Sequence, residues 1–361
     1  MTRIAYVINY IAKNGPSSVV LNIIRNLDMS EFEVSLITLF RENDQAIVDE
    51  LRKQNINVLE CKTMRRNTCL IGKNRELKQY ILQGEYDVIH THGFVPDILL
   101  SQMSLQAYRI STIHNNMFED YPITYGALNG AVMTQMQMAA LRKQDTCVCC
   151  SQSVYNVMKR HLSNLICIPN GIDHLKSSTS ITRYELGIPE TSRVFIYTGV
   201  LSKGKRVQQL IRYFVAERTD EEYLLIAGTG PENEACQQVA DNHVLLLGGR
   251  QDINALMAIS DIYTSASFTE GFSIAVLEAL SHGLTLLLSD MPSHREVFAK
   301  ASMPIGELFS AETYGQALQR LRQGMGKCSK EQIKDIQRDV FSGKNMAAQY
   351  VQLYCKRVEI H

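Results

Sequence analysis

Two glutamates, Glu270 and Glu278, bracket the segment Glu270-Gly271-Phe272-Ser273-Ile274-Ala275-Val276-Leu277-Glu278. An aromatic and a small polar residue follow the first, and an apolar run with helical character leads to the second. Along a helix this spacing spans about 12 Å, too far for two carboxylates to share one proton or one metal. It suits a grip on the two ends of an elongated ligand. Between them a helix N-terminus offers backbone N–H groups and the positive end of the macrodipole, so an anion is the natural occupant. A sugar, a diphosphate and a ribose have this layout. Taken alone, the segment is equally well explained as an amphipathic helix with two solvated glutamates.

Other segments carry chemistry of the same kind. Gly199-Val200-Leu201-Ser202-Lys203-Gly204-Lys205 follows an apolar strand, and a lysine there reaches a phosphate as a point charge, or is simply solvated. Ile226-Ala227-Gly228-Thr229-Gly230-Pro231 lets the backbone turn tightly or approach a ligand, but it lacks the third glycine of a dinucleotide fingerprint. Gly248-Gly249-Arg250-Gln251-Asp252 ends another strand, and Asn14-Gly15-Pro16-Ser17-Ser18 precedes an apolar helix, where a simple turn with a serine N-cap is the plain alternative. His90, His92 and His114 lie at strand ends, and Glu119 and Asp120 follow the last of them. Lys62, Arg65, Arg66, Lys73, Arg75 and Lys78 cluster with only Glu76 among them; they form either a solvated face or a site for anionic lipid head groups, at about 1 kcal/mol per basic residue. Ala131–Leu141, rich in Met and Ala, reads as a buried core helix, with an exposed apolar face for a lipid acceptor as the alternative.

The elements that must position these residues are short apolar strands alternating with longer helical stretches, which means βαβ units and parallel sheets. In the first half the strands fall at Ile4–Asn9, Glu33–Thr38, Asp87–His90, Ile110–His114, Asp145–Cys150 and Leu165–Ile168. In the second they fall at Val194–Thr198, Glu222–Ala227, Val244–Leu247, Ile262–Ser265 and Thr285–Ser289, with helices at Arg206–Ala216, near Glu232–Asp241, at Ile253–Ser260 and at Ser273–His282. The polar stretch Lys176–Thr182 reads as a linker. Two α/β halves joined by one linker suggest two Rossmann-like, doubly wound domains facing a cleft, with ligands outside the carboxyl ends of the strands.

The whole chain sets bounds. Its 361 residues favour two domains. Apolar residues make up 45% and charged residues 20%, with zero formal net charge; this is an ordinary globular protein with no general affinity for nucleic acid. The nine cysteines lack metal-site spacing, so buried free thiols in a reducing, cytoplasmic compartment are expected. The N-terminus shows no secretory h-region, and no apolar run is long enough to span a membrane.

At least six of these segments, from Asn14 to Glu278, occur in the order seen in family 4 retaining glycosyltransferases of the GT-B fold, and the chain resembles the members that build bacterial polysaccharides. The resemblance implies an acceptor-side domain at 1–172, a nucleotide-sugar-binding domain at 173–340 and a C-terminal helix, 341–361, packing back on the first. It assigns Gly15, Gly199, Lys205, Arg250, Glu270, the backbone amides of Phe272, Ser273 and Ile274, and Glu278 to the donor. His114, Glu270 and Lys205 take catalytic roles, while Glu119 and Asp120 are candidates for the acceptor. His90 and His92 are structural or acceptor-side. The family pattern Gly-Arg-Leu followed three residues later by Lys places its lysine at Lys205, but its arginine position holds Val200, which removes one of two cationic contacts; Arg206 or Lys203 could compensate.

The implied reaction is transfer of a hexose or N-acetylhexosamine from a nucleotide-diphosphate sugar, UDP-sugar favoured, to a saccharide. A polyprenyl-diphosphate-linked glycan in capsule or exopolysaccharide synthesis is the expected acceptor, with work at the inner membrane face and peripheral contact with anionic lipid. No Asp-x-Asp motif is present, so neither metal nor other cofactor is expected. A soluble or protein acceptor, or a non-catalytic GT-B partner subunit, is the alternative.

Overall fold

The computed structural model describes residues 1–12, 14–42, 45–66, 68–70, 74–173, 180–324 and 327–358, the side chains of 356–358 excepted. Lys73 and most of the expected linker lie outside the described residues. The chain divides into two compact units, one of residues 1–172 with the helix Gly343–Val358, the other Asp173–Ser342.

Unit 1 is built on strands β1 (Thr2–Ile8), β2 (Phe32–Thr38), β3 (Asn57–Glu60), β4 (Val88–His92), β5 (Tyr108–Ile113), β6 (Thr146–Cys149) and β7 (Leu165–Cys167). They form one sheet in the order β3-β2-β1-β4-β5-β6-β7, and every pairing is parallel. Unit 2 repeats the plan with β8 (Arg193–Thr198), β9 (Glu222–Ala227), β10 (Val244–Gly248), β11 (Ile262–Ser265), β12 (Thr285–Ser289) and β13 (Gly306–Phe309), ordered β10-β9-β8-β11-β12-β13. Strand order reverses between β1 and β4 in one unit and between β8 and β11 in the other. These are the switch points where crevices open at the carboxyl ends of strands. The central strands are buried on both faces, Ile4–Val7 and Leu224–Ile226 among them, which is why they read as unbroken apolar runs.

Two strands escaped the sequence reading. Asn57–Glu60 and Gly306–Phe309 are four-residue edge strands, too short to show a period. The helix expected near Glu232–Asp241 is one turn, Asn233–Gln237. Met1-proximal strand β1 and the last helix are tied by a buried polar chain. Tyr6 and Tyr354 share a hydroxyl–hydroxyl bond of 2.9 Å, His90 bridges Tyr354 (2.9 Å) and Thr112 (2.8 Å), and Thr112 meets Tyr350 at 2.9 Å. All four aromatic groups are fully buried, so the C-terminal helix docks through satisfied hydrogen bonds as well as apolar contact. All nine cysteines are free thiols.

Candidate functional site

In unit 2 the loops after β8 and β9 interlock. Gly199 N–H donates to the Ala227 carbonyl at 3.1 Å and Leu201 N–H to the Thr229 carbonyl at 3.0 Å. A Cβ on Gly228 would lie 1.8 Å from the Gly199 oxygen, so only glycine fits. The Gly-Thr-Gly segment therefore serves the packing of one loop against the other. Its product is a rigid turn, Lys203–Lys205, ahead of the helix Val207–Glu217.

That turn delivers Lys205. Its Nζ lies 3.0 Å from Oε1 of Glu270. Burial alone would raise the Glu270 carboxyl; the Lys205 charge, the neighbouring His294 and hydrogen bonds from Ser267 and Ser273 outweigh it and hold the group down at about 2. Glu270 is thus held as a carboxylate near neutral pH, in a nearly dry place. It cannot serve as a general acid. It can accept hydrogen bonds from sugar hydroxyls and stabilise positive charge. An ammonium has three donors, and the ion pair occupies one.

Glu270 lies in the loop before the helix Ile274–Ser281. The N-cap residue Ser273 makes no side-chain capping bond, because its hydroxyl is turned to Glu270. The first intrahelical bond runs from Leu277 N–H to the Ser273 carbonyl, so the first-turn amides are left without a side-chain cap, the arrangement that receives an anion. The Phe272 ring is buried against Phe341, centroids 5.9 Å apart. Glu278 sits half-buried on the same helix. Arg250 closes its guanidinium on Asp252 with bonds of 2.8 and 2.6 Å, and the Gly248 carbonyl beside it accepts from Gly228 N–H at 2.8 Å.

His294 is the residue that sequence reading missed. It is buried beside Glu270, and its Nδ1–H donates to the Ser289 carbonyl at 2.8 Å. The signal was a histidine just past the carboxyl end of an apolar strand, the same one that drew attention to His114.

In unit 1, Gly15 opens the helix Gly15–Arg25, whose N-cap is Asn14, not a serine: Asn14 Oδ1 accepts from Ser17 N–H at 3.0 Å. His114 follows β5. Its Nε2 lies 3.0 Å from Nδ1 of the buried His92, and desolvation lowers its pKa to about 4 although its edge reaches solvent. Glu119 and Asp120 lie in the first turn of the helix Met117–Tyr125; Glu119 is exposed, and Asp120 accepts from Asn115.

The helix Ala127–Leu141 corrects the expectation of a core helix. Gly130, Thr134, Gln137 and Met138 face inward, but Leu128 is 79% exposed, Val132 52% and Met136 39%, so an apolar stripe at i, i+4 and i+8 looks outward. Lys62, Arg65, Arg66, Arg75 and Lys78 are likewise exposed.

Two family models divide the chain between them: Glycosyltransferase Family 4 matches residues 13–175 and Glycosyl transferases group 1 matches residues 179–325. The chain belongs to the family 4 glycosyltransferases of the GT-B fold. This glycosyltransferase is 24% identical to the O-antigen biosynthesis glycosyltransferase WclY of Escherichia coli over 98% of each chain. It is also 24% identical to the E. coli UDP-Gal:alpha-D-GlcNAc-diphosphoundecaprenol alpha-1,3-galactosyltransferase, covering 77% of this chain and 76% of that one. Anabaena HepE, solved with UDP, shares the fold at a TM-score of 0.77 and 16% identity over 99% and 100% of the two chains.

Proposed function

We propose that this glycosyltransferase moves a hexose or N-acetylhexosamine from a nucleotide-diphosphate sugar, UDP-sugar favoured, to a polyprenyl-diphosphate-linked glycan in bacterial surface polysaccharide synthesis, with retention of anomeric configuration and without a metal. The observation that carries this is the ionised, buried Glu270 held by Lys205 beside an uncapped helix N-terminus, with Glu278 on that helix.

The division of labour follows from charge. The amides at Ser273 and Ile274 and the remaining donors of Lys205 take the diphosphate and stabilise it as it leaves. Glu278 accepts hydrogen bonds from the ribose. Glu270 orients sugar hydroxyls and favours an oxocarbenium-like transition state. The bond from the anomeric carbon to the diphosphate breaks with its electron pair on phosphate oxygen; the acceptor oxygen bonds to the same face, and its proton passes to the departing phosphate. Glu270 is no candidate for a protonated acid, which sets the site apart from paired-carboxylate hydrolysis. The matching His114 is assigned to the transferred sugar, and Glu119 and Asp120 to the acceptor.

The acceptor class rests on three supports. One relative is named for a diphosphoundecaprenol-linked substrate. The helix Ala127–Leu141 carries an outward apolar stripe, and the exposed basic cluster suits an anionic membrane face at about 1 kcal/mol per residue. The test is incubation of the purified protein with UDP-, GDP- and ADP-sugars in excess EDTA, with and without lipid-linked and water-soluble saccharides, reading nucleotide release. Release that needs the lipid-linked acceptor and survives EDTA supports the reading. Release restored by magnesium refutes metal independence, and no release with any acceptor favours a non-catalytic partner subunit.

A further inference from the structure

The donor site of this chain lacks the arginine that its family pattern carries at position 200. Val200 stands there, 56% exposed. The structure shows what replaces it. Arg206 follows directly on Lys205 and has a backbone φ of +50°, the left-handed region that strains a non-glycine residue. Its side chain does not cap the helix that it precedes. Its guanidinium lies 4.3 Å from the centroid of the Phe268 ring, and Phe268 is still 47% exposed. Among the described residues no ion pair to a carboxylate holds it.

Phe268 is two residues before Glu270, and its N–H donates to the Gly204 carbonyl at 2.8 Å. Two consecutive cations thus grip one loop: Lys205 through the Glu270 carboxylate and Arg206 through the Phe268 face. Stacking uses only the flat of a guanidinium. The N–H edge, whose fork matches a phosphate, stays available. Lys203, the other basic residue of the turn, is exposed, and no ion pair among the described residues holds it against this loop.

We propose that Arg206 is the second cationic contact to the donor's diphosphate, held ready on Phe268 in place of the arginine absent at 200. This rests on the donor reading above and adds a residue to it. The strained backbone is then explained: a glycine would suit φ +50° better, but would bring no charge.

The test is calorimetric titration of the full chain with UDP, GDP and ADP and the matching monophosphates. Arg206→Gly should weaken the preferred diphosphate about 10- to 30-fold, and the monophosphate less, while its melting temperature equals or exceeds that of wild type. Arg206→Gln, which keeps the strained backbone but removes the charge, should show the same loss of affinity. Val200→Arg placed on Arg206→Gly should recover a large part of it. If both single variants bind the diphosphate within twofold of wild type while Lys205→Ala does not, Arg206 has no such role and the donor reading stands. If wild type binds none of the nucleotides, both fall together.

Discussion

Lys205 Nζ and Glu270 Oε1 lie 3.0 Å apart, the lysine half-exposed and the carboxylate nearly dry. This pair holds an ionised carboxylate at the proposed diphosphate site. Lys205→Ala removes the strongest group holding Glu270 down, so the Glu270 pKa rises, and the departing phosphate loses its point charge. Steady-state nucleotide release should fall about 10²-fold, the usual cost of one electrostatic donor in a catalytic site. A turnover within twofold of wild type would separate Lys205 from the chemistry.

Glu278 acts on binding in this account. Glu278→Ala should raise the donor KM about 10- to 100-fold, as expected for a lost hydrogen bond to a charged group, with kcat changed far less. A 2′-deoxyribose or 3′-deoxyribose donor should cost wild type a similar factor and cost the variant little. Equal losses for both proteins with both analogues would place Glu278 away from the ribose.

Stability should respond to pH through two groups of opposite sign. Glu270 is depressed from 4.5 to about 2, so its contribution is present above the unfolded value and is lost as pH falls toward 2. Buried Asp97 runs the other way. Desolvation raises it from 3.8 to about 6, against hydrogen bonds from Thr91, Gln137 and Ser111. Its contribution is full below about 3.8 and is lost as pH climbs to about 6, by up to about 3 kcal/mol. Asp97→Asn keeps the acceptors for Thr91 and Ser111, and the amide of Gln137 can turn to meet the new donor. The variant should be more stable than wild type at pH 7 and should lose the slope between pH 4 and 6 in thermal melts. A variant that is less stable at pH 7 with the slope intact would contradict this.

The outward stripe of the helix Ala127–Leu141 gives a prediction about location. Leu128→Glu with Val132→Glu replaces exposed side chains, so the fold should lose less than about 1 kcal/mol. Sedimentation with anionic liposomes should fall several-fold, and transfer to a lipid-linked acceptor should fall with it while transfer to a water-soluble analogue persists. Unchanged sedimentation at both low and high salt would remove this helix from the membrane.

Much of this was legible in the chain. Buried parallel strand segments such as Ile4–Val7 and Leu224–Ile226 are apolar throughout, and a glutamate pair at fixed spacing survives any uncertainty over helix ends. Edge strands Asn57–Glu60 and Gly306–Phe309 were not legible, because four half-buried residues carry no period. Composition misled over Ala127–Leu141: its covered face carries Gly130, Thr134 and Gln137 while Leu128 and Val132 look outward, so apolar content does not say which face is covered. His294 beside Glu270 and the stacking of Arg206 on Phe268 depend on segments meeting in space across 24 and 62 positions of chain, and no local pattern announces such meetings.

The central claim is that a glycosyl group passes from a nucleoside diphosphate to a saccharide through the Lys205–Glu270–Glu278 site. Mass analysis of a polyprenyl-diphosphate-linked N-acetylglucosamine acceptor, after incubation with each nucleotide sugar, reads this directly. The account predicts an acceptor heavier by one sugar, in an α linkage from an α-linked donor, formed by wild type and about 10²-fold more slowly by Lys205→Ala. A β-linked product, or an equal yield from the variant, would contradict it.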